Sequence, residues 1–211
     1  MLSDDPGVVD LHHWEINTSI DATITNNLEL AIPYFDVNYG VAPNLQLKAE
    51  APYVLTFDHK QISREFGEIA VGVKFQFLND SKAFISAGTY PQYILRGDKG
   101  FLLPLLLEKT FGKFLIGEDI GFFFGQHNEN NFQLGNLLGY QATDKLQLMV
   151  EYFLQKNYRT DAGTEGFVNF GFRKILSKTF TLMGSSGTQV AATPFTDREH
   201  FFCFIGVQTH L

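Results

Sequence analysis

The chain has 211 residues, a formal net charge of −7 and an apolar share of 45%, with 22 Phe, 8 Tyr and 19 Gly. It is too apolar for a disordered chain and too acidic for a nucleic-acid partner, and no run reaches the roughly 18 apolar residues of a membrane helix. No composition break or Pro/Ser-rich linker divides it, so residues 1–211 read as one domain, and the lone Cys203 cannot form an internal disulfide.

The first residues, MLSDDP, have neither a basic start nor an apolar stretch, so no signal peptide is expected, and an exported protein would be present here as its mature chain. Residues 1–13 read as an irregular lead-in. From Trp14, apolar and polar residues alternate (Trp14, Ile16, Ile20, Ile24 against Glu15, Asn17, Asp21), the period of a strand with unlike faces. A second strand begins near Leu28. Its apolar parity changes at Pro33, from Leu28, Leu30 and Ile32 to Phe35, Val37 and Tyr39; a proline that cannot donate to the ladder predicts a bulge there.

After the Ala42-Pro43-Asn44 turn, Leu45, Leu47, Ala49, Ala51 and Tyr53 alternate with Gln46, Lys48 and Glu50 to about Thr56, and the polar run FDHKQISRE (57–65) reads as an exposed loop. The fourth strand starts at Ile69, with Val71, Val73, Phe75 and Phe77 against Lys74 and Gln76. A fifth follows the Asn79-Asp80-Ser81 turn, from Ala83 to about Tyr93, and a sixth runs from Phe101 to Thr110. Strands then span 114–125, the segment through Leu134, Leu137 and Tyr140, 146–155, the segment around Val168 to Arg173, 179–192 and 201–211, with YRTDAGTEG (158–166) as a loop. The count is about twelve strands. Short turns follow the even strands and longer polar connections the odd ones, save a short first connection at Thr25-Asn26-Asn27; this is the rim asymmetry of a closed antiparallel transmembrane β-barrel with short periplasmic turns and longer extracellular loops. Aromatics near the short turns (Tyr39, Phe75, Phe77, Phe111, Tyr140, Phe172, Phe180) suit an interfacial girdle, although aromatics are good strand formers anywhere. A loose repeat, NYGVAPNLQLKAEAPY against LGYQATDKLQLMVEYF, fits a fold made of hairpins.

The DDPG lead-in, the His13 to Glu15 triplet, the run from Asp36 to Leu47, the Glu50 to Tyr53 segment and GEIAVGVKFQFL (67–78) resemble a proteobacterial transporter-like family named for the "MetA pathway of phenol degradation". The resemblance covers roughly the first 80 residues well and the remainder as barrel hairpins. It implies an outer-membrane barrel, and the family name implies uptake of aromatic or hydrophobic compounds.

If the apolar parity faces lipid, Glu15, Asp36, Asn38, Lys48, Glu50, Lys74, Glu151 and Arg173 point into the lumen, either satisfying one another or lining a solute path. No catalytic site is expected. The histidines (His12, His13, His59, His127, His200, His210) fall mostly at strand ends and loops, and none precedes a Ser by two residues as in barrel lipid hydrolases; adjacent His12 and His13 would point to opposite faces of a strand and so not share a metal. The Gly-rich GTEG and MGSSG runs have no following helix to bind phosphate, and no cofactor is implied. The expectation is a channel or transporter in the bacterial outer membrane, with membrane lipid and a small solute as partners. The alternatives are a non-conducting structural or adhesive barrel, a soluble β-barrel or sandwich, and a lipid hydrolase.

Overall fold

The computed structural model describes residues 3–58, 61–81, 83–126, 130–158, 163–191 and 201–211. It holds β1 Trp14–Ile24, β2 Leu28–Ala42, β3 Leu45–Asp58, β4 Gln61–Phe66, β5 Ile69–Leu78, β6 Ser86–Thr89, β7 Gln92–Arg96, β8 Gly100–Phe111, β9 Phe114–Gly125, β10 Asn130–Thr143, β11 Leu146–Asn157, β12 Thr164–Ile175, β13 Phe180–Ala191 and β14 Phe201–His210. Every pairing between these strands is antiparallel, and each strand from β8 onward pairs with its sequence neighbours. The first and last strands pair from Glu15↔His210 to Ile24↔Phe201, and Trp14 and Leu211 exchange two backbone hydrogen bonds of 2.9 Å. That seam closes the sheet and removes the free edge of an open one.

Fourteen segments make a barrel of twelve strands, because two wall positions differ from the sequence expectation. The polar run expected as a loop after Thr56 is instead the tip of a hairpin: β3 continues to Asp58 and pairs with β4 through Tyr53↔Phe66 to Asp58↔Gln61. All six β4 residues are exposed, so no burial imposes the two-residue alternation by which a strand is recognised. Gly67 and Glu68 separate β4 from β5, which pairs with the lower half of β3. The expected fifth strand, continuous from Ala83 to Tyr93, is two pieces, β6 and β7, broken at Tyr90 and Pro91. Pro91 has no N–H to give the ladder, and its carbonyl accepts from Val73 N at 3.0 Å. Thr164 to Gly166, expected in a loop, open β12.

The bulge expected at Pro33 is present: the registers of β2 shift between Ser19 and Asp21 on one side and between Ala31 and Tyr34 on the other, and the Ile32-Pro33 bond is cis. Past it, Phe35, Val37 and Tyr39 return to the outside.

Along most strands one parity faces outward and is apolar. Exposed Ile20, Phe35, Leu47, Val73, Leu103, Phe122, Leu138, Leu148, Phe170 and Ile205 come from ten different strands around the wall. An apolar surface this continuous is far larger than a water-facing protein tolerates and suits a hydrocarbon surround, in which a wall closed through the β1–β14 seam leaves no free strand edge at that seam. Phe75, Phe77, Phe111, Phe114, Tyr140 and Phe180 are exposed near the short-turn rim, with Phe114 and Tyr140 ring centroids 5.3 Å apart. The core is correspondingly inverted, because the most deeply buried side chains include polar Asn38, Gln46, Lys74, Asp119, Glu151, Asn169 and Gln208.

Candidate functional site: a charged lumen crossed by the N-terminal segment

Inward parity on β2, β3 and β5 sets the charged wall. Registers Asp36↔Glu50, Asn38↔Lys48 and Gln46↔Lys74 place two carboxylates opposite each other and an amide opposite each lysine on the inner face, so the lysines stand beside the carboxylates. Lys48 Nζ lies 2.7 Å from Glu50 Oε1 and 3.7 Å from Asp36 Oδ2, and 4.5 Å from the centroid of the Tyr90 ring. Tyr90 reaches that position from the break between β6 and β7. Its ring lies against Gly72, where an added Cβ would come within 2.7 Å of Tyr90 Cε2 and 2.8 Å of the Pro91 carbonyl oxygen. Gln92 Nε2 donates to Glu50 Oε2 at 2.8 Å; Asn17 and Asn38 each donate to Asp36 at 3.0 Å; Gln46 Nε2 donates to Asn38 Oδ1 at 2.6 Å.

The lead-in completes this network from inside. Asp4 Oδ1 meets Lys74 Nζ at 2.8 Å, and its Oδ2 meets Lys48 Nζ at 3.2 Å. Ser3 donates to Glu151 Oε1 on β11 through its backbone N–H at 2.7 Å and through its hydroxyl. Residues 3–9 therefore cross the lumen between the β3–β5 wall and β11. Pro6 is fully buried, Val9 N donates to Gln46 Oε1 at 2.8 Å, and His12 N donates to the Gly40 carbonyl at 2.8 Å. Gly40 permits this approach: a Cβ there would fall 2.1 Å from the Asp10 carbonyl oxygen. Burial alone would raise the Asp4 carboxyl, but the ammonium groups of Lys48 and Lys74, the Lys74 hydrogen bond and the Asp5 N–H outweigh it and hold the group well below the usual carboxylate range.

Of the eight residues expected in the lumen, Glu15, Asp36, Asn38, Lys48, Glu50, Lys74 and Arg173 line a cavity of about 1090 Å³ inside the barrel. Glu151 is buried beneath Ser3 and also accepts from Asn169 Nδ2 at 3.2 Å. The residues do not form one cluster. Asp36, Lys48, Glu50 and Lys74 are joined through Asp4; Arg173 instead donates to Gln208 at 2.7 Å, and Glu15 lies 3.6 Å from His210 near the strand seam.

Sequence reasoning missed Ser3, Asp4 and Pro6. A signal existed: two lysines on inward parity need counter-charges, and the lead-in carries Asp4-Asp5. It also missed the aromatic residues of the opposite wall, Phe153, Phe167, Phe202 and Phe204, which line the same cavity. His12 has φ 62° and its Nδ1 lies 3.4 Å from the Tyr39 hydroxyl, while His13 Nδ1 lies 3.0 Å from the Leu11 carbonyl oxygen. Among the described residues no group of three His, Cys, Asp or Glu is placed to hold a metal. His59, His127 and His200 lie outside the described residues.

No protein-family model matches the chain, and no curated protein matches it in sequence. Solved structures do match in fold. The COG4313 outer membrane channel from Pseudomonas putida F1 superposes with a TM-score of 0.77 at 10% identity over 100% of both chains. The KdgM porin matches at 0.66 with 11% identity over 92% of this chain and 98% of its own, and the NanC porin at 0.64 with 10% identity over 94% and 100%. At such identities the likeness is one of fold, and the fold is a closed, twelve-strand, all-antiparallel barrel of the outer-membrane kind.

Proposed function

We propose that the chain is a bacterial outer-membrane channel for passive passage of small hydrophobic or aromatic solutes. The observation that carries this reading is the cavity inside the barrel, about 1090 Å³, with charged and amide groups on one wall and phenylalanines on the other. A barrel built only for structure would fill its interior with mutually packed side chains. The apolar outer belt and the fold likeness to outer-membrane channels and porins support the membrane setting, with the short turns on the periplasmic side. Aromatic or apolar cargo is the class that the sequence resemblance implies, and the Phe153, Phe167, Phe202 and Phe204 wall is compatible with it.

Single-channel recording of refolded protein in planar bilayers tests the reading, with Lys48→Ala and Glu50→Ala beside the wild type. Discrete conductance that changes in size or ion selectivity in both variants is the expected result. Identical conductance and selectivity in all three would remove these residues from the path.

One observation favours a second reading, a barrel that does not conduct: residues 3–9 cross the lumen and are fastened on both sides. Absence of channel events in the wild type and in a chain freed of that segment would favour it.

A further inference from the structure

The short-turn rim carries a charge pattern opposite in sign to the acidic chain as a whole. Lys109 near the end of β8, Lys113 in the turn before β9, Lys145 in the turn before β11, Lys174 near the end of β12 and Lys178 in the turn before β13 all fall there, on strands that are consecutive in the wall from β8 to β13. Asp144 is the one carboxylate in those turns, and Glu108 faces the cavity instead. Backbone bonds set each turn against the next strand: Gln141 N donates to the Lys113 carbonyl and Ile175 N to the Lys145 carbonyl, both at 2.8 Å. Lys145 is thereby placed beside Lys174.

These lysines belong to the outside of the barrel. Lys109 is in register with exposed Ile116, and Lys174 with Leu146 and Leu182, on the outward parity of exposed Leu148 and Phe180. Lys113, Lys145, Lys174 and Lys178 are exposed, and none of the five has an ion-pair partner among the described residues. At the opposite rim the charge is answered within the chain, with Arg96 3.2 Å from Glu65.

A second, independent feature gives the level of this rim. Phe111, Phe114, Tyr140 and Phe180 are exposed there, and Phe84, 77% exposed, stands furthest out. Lys109 Nζ lies 5.1 Å from the centroid of the Phe84 ring and 6.0 Å from that of Phe111, so its stem runs along the apolar wall and its ammonium ends among aromatic faces. Aromatic rings of this kind mark the boundary between hydrocarbon and headgroups, and a lysine that reaches that boundary without a protein carboxylate meets lipid phosphate. We infer that the short-turn rim from β8 to β13 is a docking surface for anionic phospholipid headgroups, with the five lysines as counter-charges and Phe84, Phe111 and Phe114 against the upper acyl chains. The inference rests on the membrane setting of the barrel and not on conductance, so it stands or falls apart from any channel events.

The test is quenching of tryptophan fluorescence by brominated lipids, in vesicles of dioleoylphosphatidylcholine holding either dibrominated phosphatidylglycerol or dibrominated phosphatidylcholine. The reporter is Phe114→Trp in a Trp14→Phe background, between Lys113 and Lys145. Native Trp14, at the same rim but on β1, is the control. The expected result is that phosphatidylglycerol associates at the Phe114→Trp reporter about three- to tenfold more strongly than phosphatidylcholine, with no such preference at Trp14. The preference is expected to vanish when the five lysines are replaced by Gln. If that variant gives no heat-modifiable, folded band, the unsubstituted arc serves in its place, its preference falling in roughly 0.5 M NaCl as screening shortens the reach of the lysines. Equal quenching by the two lipids at the reporter, the same preference at Trp14, or a preference indifferent to both the Gln substitutions and salt overturns the inference. Quenching by neither lipid at either tryptophan removes the membrane setting, and the docking surface with it.

Discussion

Asp4 Oδ1 lies 2.8 Å from Lys74 Nζ, an ion pair that ties the irregular start of the chain to the fifth strand across the interior of the barrel. Lys74 is 4% exposed, so removing Asp4 leaves a buried ammonium group without its carboxylate. Asp4→Ala is therefore expected to free residues 3–9 from the wall while the barrel stays folded. A spin label at Asp5→Cys, an exposed position, in a Cys203→Ser background reports the change: restricted motion with Asp4 present, fast motion without it.

The same label gives the pH dependence. Because the folded-state carboxyl of Asp4 is depressed, its contribution is fully present above the ordinary carboxylate pKa and is lost only as pH falls through the depressed value. The label is expected to remain restricted from pH 7 to pH 4. Release between pH 5 and pH 4, where an unperturbed carboxyl begins to protonate, would show that the two lysines do not hold Asp4 as described.

Gly72 faces the Tyr90 ring and the Pro91 carbonyl at distances no Cβ can occupy. Gly72→Ala must push the β6–β7 break away from β5 and take the Tyr90 ring from Lys48, at a cost of about 1–3 kcal/mol. Urea titration of the refolded barrel measures the loss, and Gly112→Ala, at a turn with no neighbour within 4 Å but a φ of 60°, separates backbone strain from crowding.

Glu118 and Asn136, register partners on β9 and β10, stand on the outward parity between exposed Ile116 and Phe122 and between Leu138 and Leu134. With its nitrogen turned to the acid, the Asn136 amide donates to Glu118 Oε2 at 2.9 Å and Oε1 at 3.2 Å. A polar pair on a lipid-facing wall lowers stability, so the double variant Glu118→Leu, Asn136→Leu is expected to gain about 1–2 kcal/mol in lipid vesicles. Either single change should gain less, since it strands the other partner in hydrocarbon.

Where one face of a strand is apolar and the other polar, the architecture can be read directly from the residues. β1, β3 up to Glu50, β5 and β9 show their two faces residue by residue, and the parity change at Pro33 marks its bulge because a one-residue slip moves every later side chain to the other face. That logic fails at β4, whose faces are both exposed, and at Tyr90-Pro91, where a strand breaks without a polar interval. Inward charges such as Lys48, Glu50 and Lys74 follow from parity. Their common partner does not, because Asp4 reaches them by a path through the lumen that no local periodicity records. The Phe202 and Phe167 contact is hidden for the same reason: it spans β13 over Gly187, and only the closed registers bring the rings together.

On the proposed channel reading, residues 3–9 occupy part of the solute path through the barrel. Single-channel conductance of the 211-residue chain is to be set against that of a chain lacking residues 2–9. Discrete events are expected from the first and a several-fold larger conductance from the second; silent membranes with both folded proteins would remove the channel reading.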